Sequence, residues 1–344
     1  MVEFLELPEN QRRQIIEQVN ARTAMSLKAV EKDWWVTLIL KALFSLPMRQ
    51  HFIFKGGTSL SKVWKLIERF SEDIDIALAP EAFGREYRKA PSHSYVKTLK
   101  KEGCAYTTSV IKGALHEQLA TMGVPADLIN IEAEEVNPVM PDKDPQTLFV
   151  RYPSLYDPNI YIEDAVKIEF GVRALKEPFA AMPVRSIIAE VFPNPTYSET
   201  PFLVTAVEPR KTFMEKLFLL HEKFSIVRED VIVHERQSRH LSDLVSMTRL
   251  GISQQVLDDQ NLYSVLLEHR RHYVRLKDVD YERMHMKELK IIPPPALMRQ
   301  FRQDYETMLT EMIYGDAPDF DTLIAQLREL NELLIKNGQK GRQE

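Results

Sequence analysis

One stretch constrains this chain more than any other. It reads Phe54-Lys55-Gly56-Gly57-Thr58-Ser59 and, a helix length later, Arg69-Phe70-Ser71-Glu72-Asp73-Ile74-Asp75-Ile76. The pattern predicts a short strand over 51–54, a glycine turn, a helix over 59–69 with Leu60, Val63, Trp64 and Ile67 at helical spacing, and a second strand over 73–78. Adjacent glycines reach positive φ and let backbone N–H groups approach an anion without Cβ interference. The helix behind them turns its positive end to the same spot. Gly56, Gly57, Thr58 and Ser59 therefore suit the β- and γ-phosphates of an NTP. In the second strand Ile74, Ile76 and Leu78 face one way, and Asp73, Asp75 and Ala77 the other. Two carboxylates on one face are costly unless a cation lies between them, and Mg²⁺ prefers a few carboxylates plus phosphate oxygens and water. A lone D-x-D is often only the polar face of an edge strand; the glycine turn upstream shifts the reading to catalysis. The order G-x-x-x-x-G-K-[ST] is absent, which excludes a P-loop.

A third acid comes from the predicted strand 164–173. Val166, Ile168, Phe170 and Val172 alternate as its core face, leaving Lys167, Glu169 and Arg173 on the other. If this strand neighbours 73–78, Glu169 lands beside Asp73 and Asp75, to bind a metal or to serve as base for an attacking hydroxyl. The alternative is a partner for Lys167 or Arg173. The three acids suit a two-metal site for in-line attack on an α-phosphorus with loss of pyrophosphate.

The 344 residues are enough for two domains. Strands are expected at 147–152, 183–192 and 202–207, helices at 7–21 and 29–44, and a helical insertion at about 81–140. After about Pro209 the pattern is helical: 211–223, 234–249, 256–271, 296–314 and 320–336. The expected division is an α/β domain over 1–208 and a helical C-terminal domain over 209–344. The single cysteine, Cys104, excludes an intrachain disulfide framework and fits a cytoplasmic protein. No leader-like or membrane-spanning apolar run is expected.

The net charge of −5 leaves contact with an anionic polymer to local patches. One is Arg85, Arg88, Lys89, Lys97, Lys100 and Lys101 with Tyr87 and Tyr95 among them, suited to phosphate contact and base stacking, or else a solvated helix face. A second gathers Arg270, Arg271, Arg275 and Lys277, with Arg236, Arg239 and Arg249 extending it, and a salt-bridged face is its alternative. His269 and His272 have helical spacing for a metal pair but lack an evident third ligand.

The stretches Lys55-Gly56-Gly57-Thr58-Ser59-Leu60-Ser61-Lys62 and Arg69-Phe70-Ser71-Glu72-Asp73-Ile74-Asp75 resemble the AbiEii/AbiGii-type nucleotidyltransferase toxins, within the DNA polymerase β-like nucleotidyltransferase superfamily. Val30-Glu31-Lys32-Asp33-Trp34, Val166-Lys167-Ile168-Glu169, Glu215-Lys216-Leu217 and Arg239-His240-Leu241-Ser242-Asp243-Leu244 are also similar to that family. The resemblance spans roughly 28–250 and implies an α+β fold: a nucleotidyltransferase-type mixed sheet flanked by helices, then a helical C-terminal domain. It implies NMP transfer from an NTP, with two Mg²⁺, to an RNA acceptor such as the 3′ end of tRNA, by a toxin paired with an antitoxin in phage defence or growth arrest. It also maps a lysine and an aspartate onto Lys216 and Asp243. Lys216 would neutralise the triphosphate or leaving pyrophosphate, with Lys211 the alternative phosphate ligand. Asp243 would orient that lysine or contact the nucleotide. Acceptors other than RNA, a protein hydroxyl or a small molecule, would use the same residues, as would a non-catalytic binding module.

Overall fold

The computed structural model of the chain describes residues 1–135, 143–157, 162–193, 195–226, 232–282 and 284–340. It divides into two compact units: Met1–Trp64, Phe70–Arg88 and Ser92–Val207 form the first, and Lys65–Arg69, Lys89–Pro91 and the chain from Glu208 form the second.

The first unit is built on a seven-stranded mixed sheet of order β3-β4-β5-β2-β1-β7-β6. Its strands are β1 (Phe52–Lys55), β2 (Ile74–Leu78), β3 (Asn130–Ala133), β4 (Gln146–Arg151), β5 (Ala165–Gly171), β6 (Phe179–Val184) and β7 (Phe202–Val207). β1 and β2 pair antiparallel, while β2–β5 and β1–β7 are parallel. Ile74, Ile76, Val166, Ile168 and Phe170 fill the core side, as alternation requires. Helices α1 (Glu3–Glu6), α2 (Glu9–Thr23), α3 (Leu27–Leu43), α4 (Gly56–Thr58), α5 (His93–Tyr106), α6 (Lys112–Thr121) and α7 (Ile187–Val191) belong to this unit.

α3 is its central helix. Ser26 caps it by accepting from Ala29 N, and α2, α6, α7 and β5 pack around it. A helix enclosed on all sides is expected to be apolar all round, and Trp34, Trp35, Leu38, Ile39 and Leu40 are. Its first turns are not: Lys28, Glu31 and Lys32 are buried too. Buried charges persist only when partnered: Lys28 Nζ meets Asp164 Oδ1 at 2.8 Å, Glu31 Oε2 accepts from Ser154 Oγ at 2.6 Å, and the partner of Lys32 lies at the site described below.

The second unit is helical: α8 (Pro209–Phe224), α9 (Ser238–Arg249), α10 (Ile252–Leu257), α11 (Gln260–Tyr273), α12 (Met298–Glu311) and α13 (Phe320–Lys340). Pro209 stands at the first turn of α8, where its missing N–H costs nothing. α8 packs on α9, α10 and α11, and α13 on α9. Among the described residues no helix is long and apolar enough to cross a membrane.

Several elements differ from the sequence expectation, each for a local reason. The helix expected over 59–69 ends at Trp64: after α4 the chain widens into a π-turn, Ser59–Val63, and Lys65 adopts positive φ. The Trp64 indole donates to Val207 O at 2.9 Å, tying off this turn. The strand expected over 183–192 is β6 followed by α7, because Ser186 caps a helix by accepting from Ala189 N. The insertion expected over 81–140 is helical through α6, then supplies β3; residues 136–140 lie outside those described. The helix expected over 256–271 is split where Asp259 caps α11 by accepting from Leu262 N.

Candidate active site

β2 and β5 are neighbours, and their parallel register sets Asp75 directly opposite Glu169. On the other side of β2, Lys55 at the end of β1 pairs with Asp75. Asp73 sits one residue before the ladder begins. The sheet thus lines up Lys55, Asp75 and Glu169 across three strands, with Asp73 at the strand's head.

The electrostatics are those of crowded carboxylates. Asp75 keeps some open surface, yet packing desolvates its carboxylate, and burial with the like charges of Glu169 and Asp73 pushes its pKa up to about 6, against the opposing pull of Lys55. Burial also works against ionised Glu169, but Lys167, whose Nζ lies 2.7 Å from Glu169 Oε1, outweighs it and holds that carboxyl below its ordinary range. Glu169 therefore makes both contacts foreseen for it: it pairs with Lys167 and stands beside Asp75. Arg173 instead bonds Asp144 at 2.7 Å. Lys55, not singled out from sequence, is the direct register partner of Asp75, and Lys167 lies two residues before Glu169 on β5.

The glycine turn packs against these acids. Gly56 adopts φ +76°, and a Cβ there would collide with the Asp75 carboxylate. Gly56→Ala combines that collision with a backbone strain of about 1–3 kcal/mol. It is expected to lower the melting temperature and abolish NTP binding, as thermal scans and NTP titration would show. The first amides of α4 have no intrahelical partner by construction. Thr58 Oγ1 donates to Ser71 Oγ at 2.9 Å, so both hydroxyls brace the turn against the chain leading to β2. The Ser59 hydroxyl is buried and has no hydrogen-bond partner among the described residues.

Two ion pairs from α3 hold both ends of this arrangement. Asp33 Oδ1 meets Lys62 Nζ at 2.6 Å, just after the glycine turn. Lys32 Nζ meets Glu72 Oε2 at 2.7 Å, one residue before Asp73, and also donates to Glu163 O. Lys32→Met takes the ammonium from a buried carboxylate and is expected to cost about 3–5 kcal/mol. Lys32→Met/Glu72→Leu should recover most of that loss in denaturant midpoints.

The remaining candidates lie in the second unit. Asp243 is fully buried; it accepts from Arg69 Nε at 2.7 Å and Nη2 at 2.8 Å, and from Lys216 Nζ at 2.8 Å. Burial opposes its charge, but the two cations outweigh that and hold its carboxyl far below the usual range. Of the two roles open to Asp243, orienting the lysine is the one its burial favours. Arg69 thus bonds both oxygens of the Asp243 carboxylate. Lys211 is fully buried, 3.7 Å from Glu215 Oε1, whereas Lys216 retains a little surface.

The basic stretches are partly neutralised. Arg85 bonds Glu102 and Arg88 bonds Glu86, with Arg88 also stacked 4.2 Å over Tyr95. Lys97 and Lys101 remain exposed one turn apart on α5, while Lys89 belongs to the second unit. In the later stretch Arg270 bonds the buried Glu222, Arg271 bonds Glu268 and Glu282, and Arg249 bonds Gln326. Arg270 and Arg271 thus take the salt-bridged reading, while Arg275 and Lys277 are exposed. His269 stacks on Tyr273 and His272 pairs with Glu268, so the two do not form a metal pair. Cys104 is buried against Gln146 Oε1 at 2.9 Å, and burial pushes its thiol up. It packs rather than attacks.

The acids fit a hard divalent cation, which would relieve the repulsion between Asp75 and Glu169. Among the described residues no group of three or more His, Cys, Asp or Glu side chains could hold a metal ion, so Asp73, Asp75 and Glu169 are not gathered into a three-ligand set. No curated protein matches the chain. A family model described as "Nucleotidyl transferase AbiEii toxin, Type IV TA system" matches residues 38–326.

Proposed function

Because the chain belongs to the AbiEii nucleotidyl transferase toxin family, we propose that this nucleotidyltransferase moves a nucleoside monophosphate from an NTP to an RNA acceptor, the 3′ end of tRNA. The family is a Type IV toxin–antitoxin family, so a toxin role and an antitoxin partner go with membership. The observation carrying the reaction is the register of Asp75 against Glu169 beside the glycine turn. Intact acids and an intact glycine turn speak against a decayed scaffold that only binds.

In this reading Asp73, Asp75 and Glu169 would hold Mg²⁺, which would supply charge neutralisation at the triphosphate and a more acidic acceptor hydroxyl. The amides at Gly56 and Gly57 and the unpartnered Ser59 hydroxyl receive phosphate oxygens. With Lys167 on Oε1, Glu169 offers Oε2 to the cation or to the proton of the attacking hydroxyl. Lys216, or Lys211 on the same helix, neutralises charge on the triphosphate and departing pyrophosphate. Lys97 and Lys101 on α5 favour a polyanionic acceptor. The reading places the reaction in the cytoplasm, with growth arrest or phage defence as its consequence.

The test incubates the protein with Mg²⁺, each α-labelled NTP, total tRNA and lysate protein, beside Asp73→Ala/Asp75→Ala. Label is expected on tRNA with the wild type alone. Label confined to protein or to a small molecule would overturn the acceptor assignment. Label unaffected by the double substitution would overturn the site.

A further inference from the structure

Lys28, Glu31, Lys32 and Asp33 stand in the first turns of α3, withdrawn from solvent. Lys28 Nζ donates to Asp157 O at 2.8 Å, and Glu31 Oε1 accepts from Leu155 N at 2.8 Å. These two hold the connection that leads into β5. Asp33 Oδ2 accepts from Ile187 N at 2.7 Å, at the start of α7. Lys32 does something different. Its Nζ donates to Glu72 Oε2 at 2.7 Å and to Glu163 O at 2.9 Å. Glu72 stands two residues before Ile74, the first of β2, and Glu163 two residues before Ala165, the first of β5. One ammonium thus ties together the heads of the two strands that carry Asp75 and Glu169. All of these groups lie in the sheet unit.

These strands need a tie. They are parallel, and the chain between them runs through α5, α6, β3 and β4, so no hairpin turn fixes their register. A slip of one residue would send Glu169 to the core face and end its juxtaposition with Asp75. Stability alone does not explain the tie, because well-packed apolar side chains hold a buried site about as firmly as an ion pair does. What the ammonium adds is direction. It fixes an oxygen from each strand head around one nitrogen, whereas apolar burial is non-directional.

We propose that Lys32 is a positioning residue that keeps the heads of β2 and β5 in register, and through them the carboxylates of Asp75 and Glu169 side by side. The inference rests on the reading of these acids as a site for a hard divalent cation.

The experiment measures Mn²⁺ affinity of the full chain by calorimetry, Mn²⁺ being an ion that carboxylates suit, together with amide hydrogen exchange in β2 and β5. The proteins are wild type, Lys32→Met/Glu72→Leu, Lys32→Arg, Lys28→Met and Asp75→Asn, all below their melting temperatures. Lys32→Met/Glu72→Leu removes one charge of each sign, so a change in affinity does not reflect net charge. It is expected to bind Mn²⁺ about tenfold more weakly even with its stability regained, the scale on which outer contacts act on a metal site. Its β2 and β5 amides should exchange faster. Lys32→Arg keeps a cation between the two heads and should bind Mn²⁺ as wild type does, which supplies a folded comparison if the double variant unfolds. Lys28→Met removes a buried cation that reaches only the β5 side, so it should melt earlier without losing affinity. Wild-type affinity and exchange in Lys32→Met/Glu72→Leu, or a loss in Lys28→Met as large as in that variant, would overturn the positioning role and leave the acids standing. Equal Mn²⁺ affinity in wild type and Asp75→Asn would overturn the cation reading instead. Exchange would then decide for Lys32 alone, and wild-type protection of β2 and β5 in the double variant would overturn its role as well.

Discussion

Asp75→Asn is expected to abolish nucleotide transfer while making the protein more heat-stable. The activity loss should be about 10³-fold or more, the scale on which charge stabilisation in a transition state is lost, because the amide keeps the shape of the carboxylate but not its charge. The stability gain has a separate origin. Asp75 is desolvated opposite Glu169 with Asp73 two residues away, and its ionisation works against the fold. A raised pKa means that the folded state holds the proton more tightly than the unfolded one. The penalty is therefore absent below pH ~4, where both forms are protonated, and grows as pH climbs through about 6. With metal chelated, the variant should melt about 1–2 °C higher at neutral pH, the equivalent of ~1 kcal/mol in a chain of this size. The gap should close toward pH 4. Thermal scans across that range check it, and a variant that melts lower at neutral pH would mean that the carboxylate is structural.

Asp243→Ala should do the opposite to stability. It leaves Arg69 and Lys216 buried without the carboxylate that binds both, a situation that costs about 3–5 kcal/mol. Asp243 has a depressed folded-state pKa, so its contribution is full above pH ~4 and is lost as pH falls further. The difference between wild type and variant in denaturant midpoints should accordingly shrink in acid. Replacing all three groups together, as Arg69→Met/Lys216→Met/Asp243→Leu, should restore much of the stability, since a buried ion cluster can be exchanged for apolar packing. It should not restore NTP binding. Recovery of binding in that triple variant would show that the cluster only holds the fold.

What could be read from the chain beforehand follows from how local each determinant is. Alternation in β5 assigned Glu169 to the polar face, and a parallel neighbour was all that was needed to bring it to Asp75. The pairing of Glu169 with Lys167 was visible as an alternative, and both contacts occur. The end of the helix at Trp64 was not legible, because the residues after it keep helical periodicity. Arg69 is held by a carboxylate 174 positions away, and no local pattern announces such a partner. The helix α7 was hidden for a different reason. Its five residues are apolar enough to pass for a strand, and only the Ser186 cap distinguishes them. Lys28, Glu31 and Lys32 are charged residues buried in the first turns of α3. Their burial comes from tertiary partners that a helical pattern cannot display.

The short segment Lys65–Arg69 belongs to the helical unit although the chain on both sides of it belongs to the sheet unit. A protein built this way is not two beads on a string. Cutting it near residue 207 would yield a fragment whose Arg69 guanidinium has lost Asp243, and the remainder would hold an Asp243 that has lost Arg69. Neither half is a portable cassette, and gene fusion at that seam would break an ion cluster on both sides. Diversification of such a chain is confined to substitution and loop insertion, because exchange of whole lobes carries a folding penalty that single-boundary architectures escape.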